Sequence, residues 1–163
     1  MRRLALVAAA IGLIATSCGG GTETPSFEAE TLPGGTPVSL DEFDGVPVLL
    51  AAFATWCLPC ERELPALDAA ADDWATMGVR VVAVNVDDPA TDDGAVLAMV
   101  DRLDVTLPVW RDRDLAFLTT FDGTMMPFSV LVDGDGAIVR TWTGAVDPDG
   151  DDVREAIERV ATA

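Results

Sequence analysis

The 163-residue chain has no histidine, no lysine and only three cysteines. Without histidine the commonest general base near neutrality and the commonest transition-metal ligand are gone, so acid–base chemistry falls to carboxylates and thiols. Without lysine, positive charge comes from ten arginines against 28 acids, a formal charge of −18. Such a surface repels phosphate backbones and argues against nucleic acid as a partner; it repels anionic headgroups too, so membrane contact requires a lipid or an apolar segment. What is abundant is apolar: half of the residues are hydrophobic. That suffices for one globular domain with a real core, and the length is short for two.

The first residues read as an export signal. Arg2 and Arg3 precede an apolar run from Leu4 to Ala15, too short for a comfortable membrane span. Ala15-Thr16-Ser17 then stands directly before Cys18. This resembles a bacterial lipobox, with Ala15 where leucine is usual. The resemblance implies cleavage before Cys18 and a diacylglycerol on its thiol, and two acyl chains suffice for stable anchoring. The alternative is an ordinary secretory signal with Cys18 as an incidental thiol. The expected division is signal peptide 1–17, flexible tether 18–25 and folded domain 26–163, placed on the extracytoplasmic face of a bacterial cell membrane.

Hydropathy patterning orders the rest. Ser26–Leu32 and Val38–Leu40, turned by Gly34-Gly35, form a hairpin, and Asp41–Asp44 one helical turn. The run Val46–Ala54 is a strand buried on both faces. A helix is expected from Cys57 to Met77, stopped by Gly78, then a second buried strand at Val79–Val86. Thr91–Leu103 follows as a helix N-capped by Thr91, Leu107–Trp110 as a short strand and Asp114–Phe121 as a short helix. Phe128–Asp133 and Ala137–Thr143 are strands joined at Gly134-Asp135-Gly136, and Asp149–Ala161 is the closing helix, N-capped by Asp149 or Asp151. This order predicts an α/β fold with a mixed central sheet flanked by helices and an added N-terminal β-hairpin.

Trp56-Cys57-Leu58-Pro59-Cys60 falls where a buried strand gives way to a helix. Free N–H groups and the positive dipole end stabilise a thiolate there, lowering the pKa of Cys57. Cys57 is expected to be the exposed nucleophile and Cys60, one turn in, the buried resolving thiol. Pro59 lacks an N–H and suits the first turn. A structural bridge over two residues would constrain little, and a zinc site lacks two of its four ligands; no metal and no bound cofactor are expected beyond the redox-active Cys57–Cys60 disulfide. Glu63, three residues after Cys60, projects from the same helix face, and Pro65 frees the carbonyl of Glu61 and should kink the helix.

From Ser26 to Ala161 the chain resembles the extracytoplasmic thioredoxin-like oxidoreductases of the TlpA and ResA type, through VSLDEFDGVPVLLAAFATWC, WCLPC, VRVVAVNVDD and MMPFSVLVDGDGAIV. The resemblance implies a membrane-tethered thiol–disulfide oxidoreductase, more readily a reductase than a disulfide-donating oxidant. Its substrates would be protein thiols and disulfides, apocytochrome c in cytochrome c maturation among them, or proteins under disulfide repair, with a membrane thiol-electron carrier renewing the thiols. A monomer is expected. It further implies a cis Met126–Pro127 bond facing the cysteines, where the residues alone leave a trans, strand-starting proline equally open; Met126 and Met125 would add a soft apolar surface. It also implies that Glu63 sits beneath the cysteines and takes the proton of Cys60. Cytoplasmic thioredoxins carry a buried acid six positions before the first cysteine; here that position is Ala51.

Two other chemistries fit less well. The peroxidatic pattern P-x-x-x-T-x-x-C is absent before Cys57, and a copper chaperone of the Sco type needs Cys-x-x-x-Cys and a histidine, although copper(I) on two thiolates is chemically feasible. Asp147, Asp149, Asp151 and Glu158 have calcium-loop spacing, but Asp152 stands where that loop needs glycine. Trp74, Trp110 and Trp142 read as core or edge residues.

Overall fold

The computed structural model describes residues 25–162. The expected signal, nearly all of the tether and Cys18 lie outside the described residues. Strands β1 (Glu28–Leu32), β2 (Pro37–Ser39), β3 (Val48–Phe53), β4 (Arg80–Asn85), β5 (Val109–Arg111), β6 (Phe128–Val132) and β7 (Ile138–Thr143) form one sheet in the order β2-β1-β5-β4-β3-β6-β7. Helices α1 (Cys60–Thr76), α2 (Asp93–Arg102), α3 (Phe117–Thr120) and α4 (Asp151–Ala161) alternate with them. The fold is the expected thioredoxin-like one: β3, β4 and β5 run parallel, and antiparallel strands flank them on both sides.

Strand β3 sits near the middle because nothing in it needs water. All six residues are buried, Val48-Leu49-Leu50-Ala51-Ala52-Phe53, and it pairs with β4 on one side and β6 on the other. α1 turns Cys60, Leu64, Leu67 and Trp74 inward, and α4 does so with Val153, Ala156, Ile157 and Val160 at helical spacing. The N-terminal hairpin extends the sheet through β1, which pairs with β5 at Glu30↔Arg111 and Leu32↔Val109. Its anchor is Phe27, 2% exposed, whose ring meets Phe117 at 5.2 Å, Phe121 at 5.9 Å and Trp110 at 6.4 Å. Phe43, the last residue of the 3-10 turn Leu40–Phe43, adds a contact to Trp110 at 5.6 Å. Hairpin and domain thus share one aromatic core.

The structure moves several expected boundaries. α1 begins at Cys60, not Cys57, because Leu58 and Pro59 lie in a turn ahead of it; Pro65 is accommodated within the helix. α2 begins after Asp92 rather than Thr91: a turn closed by Thr91 N–H on the Asp88 carbonyl (2.8 Å) uses up the earlier residues. α3 is half its expected length since Leu115 adopts φ +54°, which no right-handed helix admits; the free N–H groups of Ala116 and Phe117 donate to Asp112 instead (3.1 and 2.8 Å). α4 is preceded by Gly150, so neither Asp149 nor Asp151 is its N-cap; Asp151 pairs with Arg154. Trp74 and Trp110 are buried, and Trp142 donates through Nε1 to Asp152 (2.9 Å).

Phe27→Ala is expected to cost about 3–5 kcal/mol in urea unfolding. A loss under about 1 kcal/mol would show the hairpin to be an appendage rather than part of the domain.

Candidate active site

The site begins where β3 runs out. After Phe53 and Ala54 the chain turns, and the N–H of Cys57 donates to the Ala54 carbonyl at 2.9 Å. Side chains then alternate: Trp56 and Leu58 project to solvent, each 66% exposed, while Cys57 points inward at 3%. Cys57 is therefore covered rather than exposed, because the turn hands the surface to its two neighbours. Cys60 is fully buried. The two cysteines form a disulfide, with Cα atoms 5.4 Å apart. Cys57 lies three residues ahead of the first residue of α1, and its carbonyl accepts the Cys60 N–H at 3.1 Å. The helix therefore presents its N-terminus just behind the pair, where its dipole favours a thiolate. Cys60 Sγ lies 4.0 Å from the Ala52 carbonyl oxygen.

Glu63 is buried on the same face of α1, 2% exposed. Its Oε1 accepts the N–H of Val146, from the segment between β7 and α4, at 2.8 Å. Its Oε2 has no hydrogen-bond partner, nor has the buried hydroxyl of Ser129. Burial pushes the Glu63 carboxyl up from 4.5 to about 7, against weaker lowering pulls from the Val146 N–H and from Ser129, whose hydroxyl closes no well-formed bond. Ser129 is the cross-strand partner of Ala51. Two small neighbouring residues on the sheet thus border the space into which the helix carboxylate is directed.

The peptide Met126–Pro127 is cis. Pro127 is buried and directly precedes β6, whose Phe128 pairs with Ala52. That register puts the proline level with the end of β3, at the edge of the sheet where the cysteines lie. Met126 packs partly against the core, and Met125 is 57% exposed. Pro59 is exposed in the turn between the cysteines.

Sequence reasoning did not single out Thr55 and Asp87. Thr55 donates to the Asp87 carboxylate through its backbone N–H (2.8 Å) and its hydroxyl (2.9 Å). The available signal was a pair of polar residues, Asn85 and Asp87, closing an otherwise apolar strand run. Asp68 was missed as well: it accepts from Thr106 and Leu107 and ties the loop before β5 to α1.

A mixed sheet carrying a Cys-x-x-Cys disulfide at a strand-to-helix turn defines a thioredoxin-like thiol–disulfide oxidoreductase. The chain belongs to the Redoxin family, whose profile matches residues 20–158. It is 32% identical over 124 residues to the thiol-disulfide oxidoreductase ResA of Bacillus thuringiensis subsp. konkukian, covering 76% of this chain and 69% of that protein. With ResA of Halalkalibacterium halodurans it shares 30% identity over 126 residues, 77% of this chain and 69% of the relative. Among solved structures, a DsbE-like thiol:disulfide interchange protein of Chlorobium tepidum superposes with a TM-score of 0.74 at 23% identity, covering 85% of this chain and 94% of that one. A secreted disulfide oxidoreductase of Mycobacterium tuberculosis does so at 0.66 and 24% identity, covering 88% and 100%. These likenesses carry the fold, and the ResA relatives carry the activity: the protein is an enzyme of thiol–disulfide exchange.

The Glu63 shift has a thermodynamic sign. Its folded-state pKa is raised, so below about pH 4.5 the carboxyl is protonated in both states and carries no penalty. As pH rises towards 7 the unfolded chain ionises first, and stability is lost until the folded carboxyl ionises too. Relative to Glu63→Gln, the oxidised parent is expected to lose ~3 kcal/mol between pH 4 and pH 8 in urea unfolding. Parallel curves for the two proteins would show that Glu63 titrates normally.

Proposed function

We propose that the protein is a lipid-anchored, extracytoplasmic reductase that delivers electrons to disulfides of exported proteins, apocytochrome c among them. A membrane thiol-electron carrier would renew its dithiol, with no bound cofactor. The observation that carries this reading is Glu63: a buried carboxylate with one unpartnered oxygen, three residues from Cys60, titrating near neutrality. A reductase must deprotonate its second thiol on every turnover, and a chain without histidine needs another base for it.

The steps balance as follows. The Cys57 thiolate attacks a substrate sulfur; a mixed disulfide forms and one substrate thiolate leaves. Glu63 accepts the proton of Cys60, and the Cys60 thiolate attacks the Cys57 sulfur. The Cys57–Cys60 disulfide closes and the second substrate thiolate departs, two electrons having passed to the substrate. Trp56, Leu58 and Met125 present apolar surface at this end of the sheet, suited to extended polypeptide around the reacting cysteine. Anchoring rests on the lipobox-like stretch ending at Cys18.

Redox titration of the full chain carrying Cys18→Ala, read by alkylation and mass, is expected to give a reversible two-electron couple at about −270 mV or below. A couple nearer about −120 mV would make the protein a disulfide donor instead. The intact mass of protein purified from membranes is expected to correspond to a chain starting at Cys18 and bearing a diacylglyceryl group; an unmodified Cys18 would remove the lipid anchor.

A further inference from the structure

The end of the sheet that carries the cysteines holds a buried polar chain that thiol exchange itself does not use. Arg111, at the end of β5, is fully buried. Its Nη1 donates to Asn85 Oδ1 at 2.7 Å and to the Asp87 carbonyl at 2.8 Å, and its Nη2 to the Asp88 carbonyl at 2.8 Å. Asn85, at the end of β4 and also fully buried, donates from Nδ2 to Asp87 Oδ2 at 2.9 Å. Asp87, 1% exposed, then receives both donors of Thr55. The order Arg111–Asn85–Asp87–Thr55 thus crosses from β5 through β4 to the first turn residue beyond β3.

Burying a carboxylate and a guanidinium is costly unless each is closely satisfied. Pairing of β3 with β4 does not require this cluster, since the ladder already runs to Phe53↔Asn85 and the Val86 N–H reaches the Phe53 carbonyl at 2.9 Å. The polar chain is directed one step further along, at Thr55, which the exposed Trp56 and then the reacting Cys57 follow. A buried network this densely hydrogen-bonded holds its members in one geometry; Arg111 Nε makes no hydrogen bond but lies 3.5 Å from Asp93 Oδ1.

We propose that Asp87, backed by Asn85 and Arg111, is a positioning residue for the redox centre, holding Thr55 and through it the turn that presents Trp56 and Cys57. The proposal concerns exchange at Cys57 in either direction and does not depend on the protein being a reductase. The test uses the full chain with Cys18→Ala and three further variants. Thr55→Val keeps the backbone bond and removes the hydroxyl; Thr55→Ser restores it. Asp87→Asn keeps the shape but leaves one accepting oxygen where there were two. The readout is the equilibrium constant of the Cys57–Cys60 pair with reduced and oxidised glutathione, which a loss of global stability alone does not move in folded protein. Thr55→Val and Asp87→Asn are expected to shift it by about threefold or more, and Thr55→Ser to return it to within about twofold of the parent. A Thr55→Val shift under threefold, or one that Thr55→Ser fails to restore, overturns the proposal. The Thr55 pair decides alone where Asp87→Asn folds poorly.

Discussion

β3 is a strand with no free side. Its six residues are buried, and both of its edges are hydrogen-bonded, to β4 and to β6. Chemistry has no place along such a strand and is confined to its end, where Ala54 releases the chain into the turn of the cysteines. The other parts of the site are placed by the same constraint. β6 brings the cis proline to that end because it pairs with β3 in register, and β4 brings Asp87 there for the same reason. α1 starts from that end and carries Glu63 back over the small residues of the sheet.

Glu63 shows what the site asks of the fold. The chain already carries far more acid than base, and a buried carboxyl beside an unpartnered hydroxyl adds no stability at neutral pH. Under the proposed mechanism its position serves proton traffic rather than packing. The Val146 N–H satisfies one oxygen and fixes the group in place; the other is left with capacity to accept a proton. Arg111 presents the opposite solution. There the two Nη groups of a buried guanidinium meet carbonyl and carboxamide oxygens, and its Nε lies 3.5 Å from the Asp93 carboxylate, so it builds geometry instead of reactivity.

Much of this arrangement was legible in the chain because its signals are local. The apolar run that becomes β3, the Cys-x-x-Cys spacing, the Gly-Asp-Gly turn and the position of Glu63 relative to Cys60 can all be read within a few residues of one another. The parts that were not legible depend on partners far away in sequence. Thr55 finds Asp87 across 32 positions, and Asp68 finds Thr106 across 38. The length of α3 depends on the left-handed backbone at Leu115, an apolar residue that gives no warning of it. The covering of Cys57 follows from the direction of a turn, which composition does not encode. The roles of the leading segment and of Cys18 rest on the chain's first residues alone.

The two outer strands of the sheet bear on how this protein meets other chains. The hairpin replaces β5 as an edge with β2, three residues long and opening with Pro37, which has no N–H to offer. On the far side, β7 has a register irregularity in its pairing with β6 between Ile138 and Arg140, and its Arg140 pairs with Asp152. Neither rim is a good template for an incoming strand. An unfolded client captured at the cysteines is therefore held chiefly by a bond that exchange can cut, and it can leave once that bond is gone instead of zippering onto the sheet. Under the proposed role, with clients that are still folding, a grip that undoes itself guards against becoming the seed of their aggregation.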